Sequence, residues 1–129
     1  MDDAELALRR TIMASFAATG SPPDVEDGPA LRALAAHHAV ALDDAGRVLM
    51  AHPFAAHRGG ARVDAGGRSW WGNCAWDAMG IVAALGLDEA VITDASGITV
   101  ELDGGRAAEP ALFHIAVPAR EWWADIGFT

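Results

Sequence analysis

Arg68-Ser-Trp-Trp-Gly-Asn-Cys-Ala-Trp-Asp-Ala-Met-Gly-Ile-Val-Ala-Ala-Leu-Gly-Leu87 is the stretch whose reading decides the fold. It holds the single cysteine of the chain, Cys74, and three of its five tryptophans, Trp70, Trp71 and Trp76. After Arg68 its one charged side chain is Asp77. From Asn73 onward the run predicts a helix, with a polar residue available as N-cap and no proline before Leu87. Such a helix carries Cys74 in its first turn and Asp77 one turn later on the same face. Exposed N–H groups and the dipole at a helix start favour a thiolate, so the thiol is expected below its ordinary pKa. Asp77 sits among indoles and aliphatics, with no Lys, Arg or His in the helix to pair with it. That setting pushes a carboxyl toward its protonated form. A soft nucleophile beside a held proton is a reactive pair. The bland alternative is a small core cysteine and a carboxylate that merely suits the helix start.

Outward from this helix, the second half reads as a small antiparallel or mixed sheet on which it packs. Arg62–Asp64 and Arg68–Trp71 are short strands about a Gly66-Gly67 turn. Glu89–Thr93 and Ile98–Leu102 form a hairpin closed by Asp94-Ala-Ser-Gly97, and Asp103-Gly-Gly105 turns again. Leu112-Phe-His-Ile-Ala-Val117 reads as a further strand ended by Pro118. Arg120–Ile126 reads as one or two helical turns. The first half opens with an amphipathic helix over 3–18, its apolar side made by Leu6, Ile12, Met13 and Phe16, stopped by Gly20-Ser-Pro-Pro23. A short second helix is expected near Asp24 and a third over Pro29–Ala36, with proline at a permitted early position. Val40–Leu42 and Val48–Met50 flank Asp43-Asp-Ala-Gly-Arg47 as a hairpin. Helix, helix, helix, hairpin is the order of a winged helix. The expected fold is α+β, with residues 1–54 a winged-helix-like cover segment and residues 55–129 a sheet-and-helix core.

Composition bounds the function. The 129 residues are 52% hydrophobic, enough for one domain with a real core and no disulfide framework. Nine basic residues, all arginine, stand against 18 acidic ones, for a net charge of −9 that repels nucleic acid phosphates. The helix Pro29–Ala36 offers only Arg32 to a phosphate or base edge, so a structural role is expected for it and no nucleic acid partner. The acidic start Met-Asp-Asp-Ala-Glu is no secretory signal, and no apolar run reaches membrane-spanning length. A soluble, cytoplasmic protein with no membrane partner is expected.

Five histidines, His37, His38, His52, His57 and His114, form no H-x3-H or HExxH pattern, and one cysteine excludes an all-thiolate zinc site. They read as surface or strand residues, while Ser-His-Asp or Cys-His catalysis stays open because the partners could meet in space. No G-x-S-x-G elbow and no phosphate-binding glycine fingerprint occurs.

Three segments together resemble the alkylmercury (organomercurial) lyase family: the front half ending in Met50-Ala-His-Pro-Phe54, the core Trp70-Trp-Gly-Asn-Cys-Ala-Trp-Asp-Ala-Met79, and the tail Trp122-Trp-Ala-Asp-Ile-Gly-Phe-Thr129. The resemblance covers nearly the whole chain, and Cys-x-x-Asp in an aromatic, small-residue helix is its most specific part. It implies that Cys74 and Asp77 are catalytic in protonolysis of a carbon–mercury bond. Hg(II) prefers thiolate to any oxygen ligand, so Cys74 is the expected mercury ligand. Asp77 is the expected proton donor to carbon and afterwards a carboxylate assisting the bound metal. Trp70, Trp71, Trp76 and Met79 are expected to form the substrate pocket, excluding water and accommodating the organic group. The partners are then a small organomercurial or soft metal ion and external thiols. No cofactor is implied beyond Hg(II), or another soft metal, as product or ligand.

One departure marks this chain. The family's protonolysis uses two cysteines, the second in the C-terminal segment, whereas Cys74 stands alone here. Three readings stay open: a sequence that continues past Thr129, a following codon such as selenocysteine read as a stop, or a non-catalytic relative that binds a soft metal or electrophile.

Overall fold

Asp2 starts the first helix, α1 (Asp3–Thr19), through a capping box. Its side chain accepts from the Glu5 N–H at 2.8 Å, and the Glu5 carboxylate accepts from the Asp2 N–H at 3.2 Å. This is a computed structural model, and it describes residues 1–115 and 117–126. On α1, Ile12 and Phe16 are fully buried, as the apolar spacing requires. The helix ends at Gly20, whose φ of +74° suits glycine, and a Cβ there would stand 2.7 Å from the Ser69 carbonyl oxygen. The last carbonyls of a helix lack partners within it. Here Arg68 donates to Ala17 and Ala18, both at 2.7 Å, and the Trp70 indole donates to Ala17 at 3.1 Å. The tryptophan-bearing strand thus caps the first helix.

The helix expected near Asp24 does not form; residues 22–28 have no regular structure. Pro22 and Pro23 remove two N–H donors and disfavour helical backbone before them. Asp27 is drawn instead into a two-point pair with Arg32, both contacts at 2.8 Å. The helix α2 (Pro29–Ala36) follows, with Pro29 in its first turn and Leu31 and Leu34 buried. Two helices, not three, therefore precede the hairpin, and the winged-helix order lacks its middle member. Strand β1 (Ala41–Leu42) pairs antiparallel with β2 (Val48–Ala51) around a turn in which Asp43 accepts from the Ala45 and Arg47 N–H groups. A cis His52–Pro53 peptide leads β2 back into β3 (Phe54–Ala55), completing a three-stranded sheet.

The second sheet is fully antiparallel. Strands β4 (Ala61–Ala65), β5 (Arg68–Gly72), β6 (Ala90–Thr93), β7 (Thr99–Asp103) and β8 (Arg106–Ala107) lie in the order β5-β4-β6-β7-β8. Gly66 and Gly67, both at positive φ, make the two-residue β4–β5 turn. The central helix α3 (Ala75–Leu85) leaves the end of β5 and buries Ala78, Ile81 and Val82 in one cluster with Val63, Trp70 and Ile92. Phe16, Leu31 and Leu34 belong to that same cluster, so one core joins the first helices to the second sheet.

The strand expected over Leu112–Val117 is absent among its described residues; Ala116 lies outside them. Pro110 and Pro118 bracket the segment, and it crosses in front of α3 instead of pairing along the sheet. The Phe113 ring meets Trp76 edge-on, with centroids 5.9 Å apart. The expected C-terminal helical turns form as a 3-10 helix, Ala119–Ala124, and Gly127–Thr129 of the quoted tail lie outside the described residues. Among the described residues, no helix is long and apolar enough to cross a membrane.

Candidate functional site

Three glycines bring the site together. A Cβ on Gly72 would stand 2.9 Å from both the Ala78 nitrogen and Asp77 Cβ, so glycine lets α3 start hard against β5. A Cβ on Gly60 would run into the Gly72 carbonyl and stand 2.5 Å from that of Asn73. On Gly80 it would meet Pro53 Cβ at 2.9 Å. The last of these lets the β2–β3 turn lie on α3 and carries His52 to the helix start.

Cys74 is the N-cap of α3, extended at φ −146° and ψ 177°, one residue before the first turn in which the sequence places it. Asp77 is then the third helical residue, so Cys-x-x-Asp occupies the two positions of a capping box with sulfur in place of a hydroxyl. The sulfur makes no capping hydrogen bond. Its pKa also runs opposite to expectation. Burial pushes the Cys74 thiol up, the nearby Asp77 carboxylate adds to that, and the N–H groups of Asp77 and Trp76 only partly oppose it. The helix start is outweighed because the thiol is half-buried.

Asp77 has a partner that the helix alone does not reveal. His52 Nδ1 lies 3.4 Å from its Oδ1, and the Asp77 side chain is 13% exposed against 40% for His52. The hydrogen bond to Asp77 raises the His52 pKa, against a smaller opposing effect of burial. His52 thus spans the distance from solvent to the carboxylate beside Cys74.

A second histidine flanks the cysteine from the other side. His57 Nδ1 accepts from the Gly59 N–H at 3.2 Å, so Nε2 carries the hydrogen and donates to Asn73 Oδ1 at 2.8 Å. The Asn73 amide nitrogen then donates to the Ile126 carbonyl at 2.8 Å, tying the C-terminal segment down next to Cys74. Trp123 of that segment stacks on His38, centroids 3.8 Å apart, and meets His52 edge-on at 6.2 Å.

Cys74 forms part of the wall of two clefts. One, of about 460 Å³, is mainly apolar, with Trp76, Ile98, Leu112, Phe113 and Trp122 on its walls. The other, of about 400 Å³, is lined equally by polar and apolar surface and includes His57, Asn73, Ser96 and His114. Of the residues expected to line a substrate pocket, Trp76 borders the apolar cleft. Trp70 is 2% exposed and spends its indole on α1. Trp71, opposite Arg62 in register, faces away from Trp70 by strand alternation. Met79 packs partly buried on the core. Sequence reading missed His52, His57 and Asn73 as neighbours of the site; the segment Met50–Phe54 in the quoted resemblance was the available signal for His52. Among the described residues, no cluster of three or more His, Cys, Asp or Glu side chains could hold a metal ion.

Residues 54–126, more than half of the chain, match the family model of alkylmercury lyase (MerB). No curated protein and no solved structure matches the chain. The matched region contains β4, β5, α3 and both Cys74 and Asp77, and the chain belongs to the alkylmercury lyase family.

Proposed function

We propose that the protein cleaves the carbon–mercury bond of organomercurials by protonolysis, with Cys74 as mercury ligand and Asp77 as proton donor. The observation that carries this reading is the placement of the sole thiol and a 13%-exposed carboxylate at the cap and third position of one helix, beside an apolar cleft. In the first step the Cys74 sulfur displaces the counter-ligand from R–Hg–X, and the thiol proton passes to the adjoining Asp77–His52 pair. Thiolate affinity for a soft metal drives the exchange. In the second step Asp77 delivers a proton to the mercury-bound carbon. The electron pair of the Hg–C bond becomes the new C–H bond, R–H leaves, and Hg(II) stays on Cys74. The carboxylate left on Asp77 assists the metal until an external thiolate takes it. His52, reaching solvent, then returns a proton through Asp77 to the Cys74 sulfur, restoring the thiol. The front helices act as packing for this site and bind no nucleic acid.

A second reading, capture of a soft metal or electrophile on Cys74 without turnover, is favoured by the single thiol, which leaves a bound Hg(II) one thiolate short of a pair. Asp77→Asn separates the two. It keeps size and hydrogen bonding but removes the transferable proton. With excess small thiol present, the unaltered protein should release benzene from a phenylmercurial. The variant should still take one equivalent on Cys74 yet release hydrocarbon about 10²–10⁴-fold more slowly, the usual worth of a general acid. No hydrocarbon from the unaltered protein would leave the capture reading standing. Release by Asp77→Asn at the parent rate would remove Asp77 as donor.

A further inference from the structure

Exposed apolar side chains are not scattered over this molecule. Of seven large hydrophobic residues with substantial exposure among the described residues, five line the cleft at Cys74: Trp76 at 60%, Ile98 at 65%, Leu112 at 100%, Phe113 at 44% and Ile115 at 53%. They come from three separate parts of the chain: the first turn of α3, the approach to β7, and the segment crossing in front of α3. Isolated surface hydrophobes need no explanation, but a contiguous group beside a reactive atom marks a binding surface. The cleft volume of about 460 Å³ lies in the range of small-molecule pockets, roughly 300–1,000 Å³.

We propose that this cleft selects organomercurials whose organic group is an aromatic ring over those carrying methyl, with Trp76 as the specificity-determining residue. The inference rests on Cys74 as the mercury ligand. Mercury(II) joins two ligands in a line, so an organic group bound through Cys74 projects straight away from the sulfur. Trp76, two residues on, and Phe113 stand edge-to-face at 82° and share the walls of the apolar cleft with Cys74. A third ring lying in the cleft against this pair gains offset or edge contacts and leaves water. A methyl group has far less apolar surface to bury there and leaves most of the cleft wet. The second cleft bordered by Cys74, with His57, Asn73 and Ser96 in its wall, offers a hydrocarbon a smaller apolar surface.

Thiol exchange measures the preference without requiring bond cleavage. The protein is equilibrated with phenylmercury or methylmercury bound to a small thiol, and the reaction R–Hg–SR′ plus protein thiol to protein–S–Hg–R plus R′SH is followed. The mercury–sulfur bond is common to both sides, so the constant reports only what the protein adds for each R. Mass spectrometry distinguishes the intact R–Hg adduct from one carrying Hg alone, so retention and cleavage are counted separately. The unaltered protein should favour phenyl over methyl by about tenfold or more. Trp76→Ala should cut that ratio roughly three- to tenfold, the worth of one aromatic contact, and Trp76→Phe should restore part of it. Equal retention of both mercurials by the unaltered protein overturns the proposal, as does a ratio untouched by Trp76→Ala. Absence of any hydrocarbon release would sink the lyase reading alone.

Discussion

Gly80→Ala sets two effects of known size against each other. Alanine in place of glycine inside a helix stabilises by up to about 1 kcal/mol, through reduced freedom of the unfolded chain and better helix propensity. Against this, the added Cβ would stand 2.9 Å from Pro53 Cβ and 3.5 Å from its Cγ. A proline ring cannot rotate out of the way, so α3 and the β2–β3 turn must separate. Overpacking of this kind costs about 1–3 kcal/mol. The clash wins, and we expect a net loss of about 1 kcal/mol, read as a lower urea midpoint at unchanged m. The same displacement stretches the 3.4 Å contact between His52 and Asp77. His52 is held above its ordinary pKa by that contact, so its NMR titration should move back down in the variant. A histidine with a raised folded-state pKa adds stability that is complete below its unfolded value, about 6.5, and is lost as pH rises through the folded value. The deficit of Gly80→Ala should therefore be larger at pH 6 than at pH 9. The difference should stay below about 1 kcal/mol, since His52 is partly exposed and the pair is screened. A variant more stable than the parent by about 1 kcal/mol, with His52 titrating unchanged, would refute this account of how the turn is seated.

Two further outcomes are expected. Because burial raises the Cys74 thiol, its alkylation rate by iodoacetamide should still be climbing above pH 9, and Asp77→Asn, which removes a neighbouring negative charge, should speed the reaction at neutral pH; a plateau already reached at pH 7 would contradict both. With a net charge of −9, the chain should show no duplex DNA binding by fluorescence polarisation even at low salt, and salt-sensitive sub-micromolar binding would overturn the packing role of residues 1–50.

Local chemistry made the sheet and its hairpins legible. Gly66-Gly67, Asp94–Gly97 and Asp103–Gly105 carry the residues that tight turns require, and the short apolar runs directly flanking them pair as strands. The helix near Asp24 and the strand over Leu112–Val117 were misread because both segments satisfy a local pattern that the tertiary structure overrides. Paired prolines and the Asp27–Arg32 contact keep the first out of a helix. The second is apolar because it borders the Cys74 cleft, not because it alternates across a sheet. At the site, the Cys74–Asp77 spacing could be read directly, since three residues on a helix fix the geometry. His52 and His57 come from 25 and 17 residues or fewer upstream in sequence, and only the close approaches at Gly80 and Gly60 bring them in. The tryptophans were legible as apolar mass but not by destination. Alternation along β5 separates Trp70 and Trp71 onto opposite faces, and of the three tryptophans in the central stretch Trp76 alone reaches the cleft, where it shares the walls with Trp122 of the C-terminal segment.

The raised thiol changes how the cysteine should be understood. An activated thiolate at neutral pH reacts with oxidants and ordinary alkylating agents as readily as with mercury. Cys74 is kept as a thiol by its half-buried position. Alkylation needs the anion before reaction, whereas a soft cation with strong sulfur affinity displaces the proton as the bond forms. Burial therefore suppresses competing chemistry more than it suppresses mercury capture. It also determines where the displaced proton goes. Asp77 lies beside the sulfur, with His52 behind it, and these are the groups from which the proposed protonolysis draws. A proton leaving sulfur when mercury binds is thus available to carbon when the Hg–C bond breaks. An N-cap cysteine with a third-position carboxylate supplies both halves of that exchange from a single helix start.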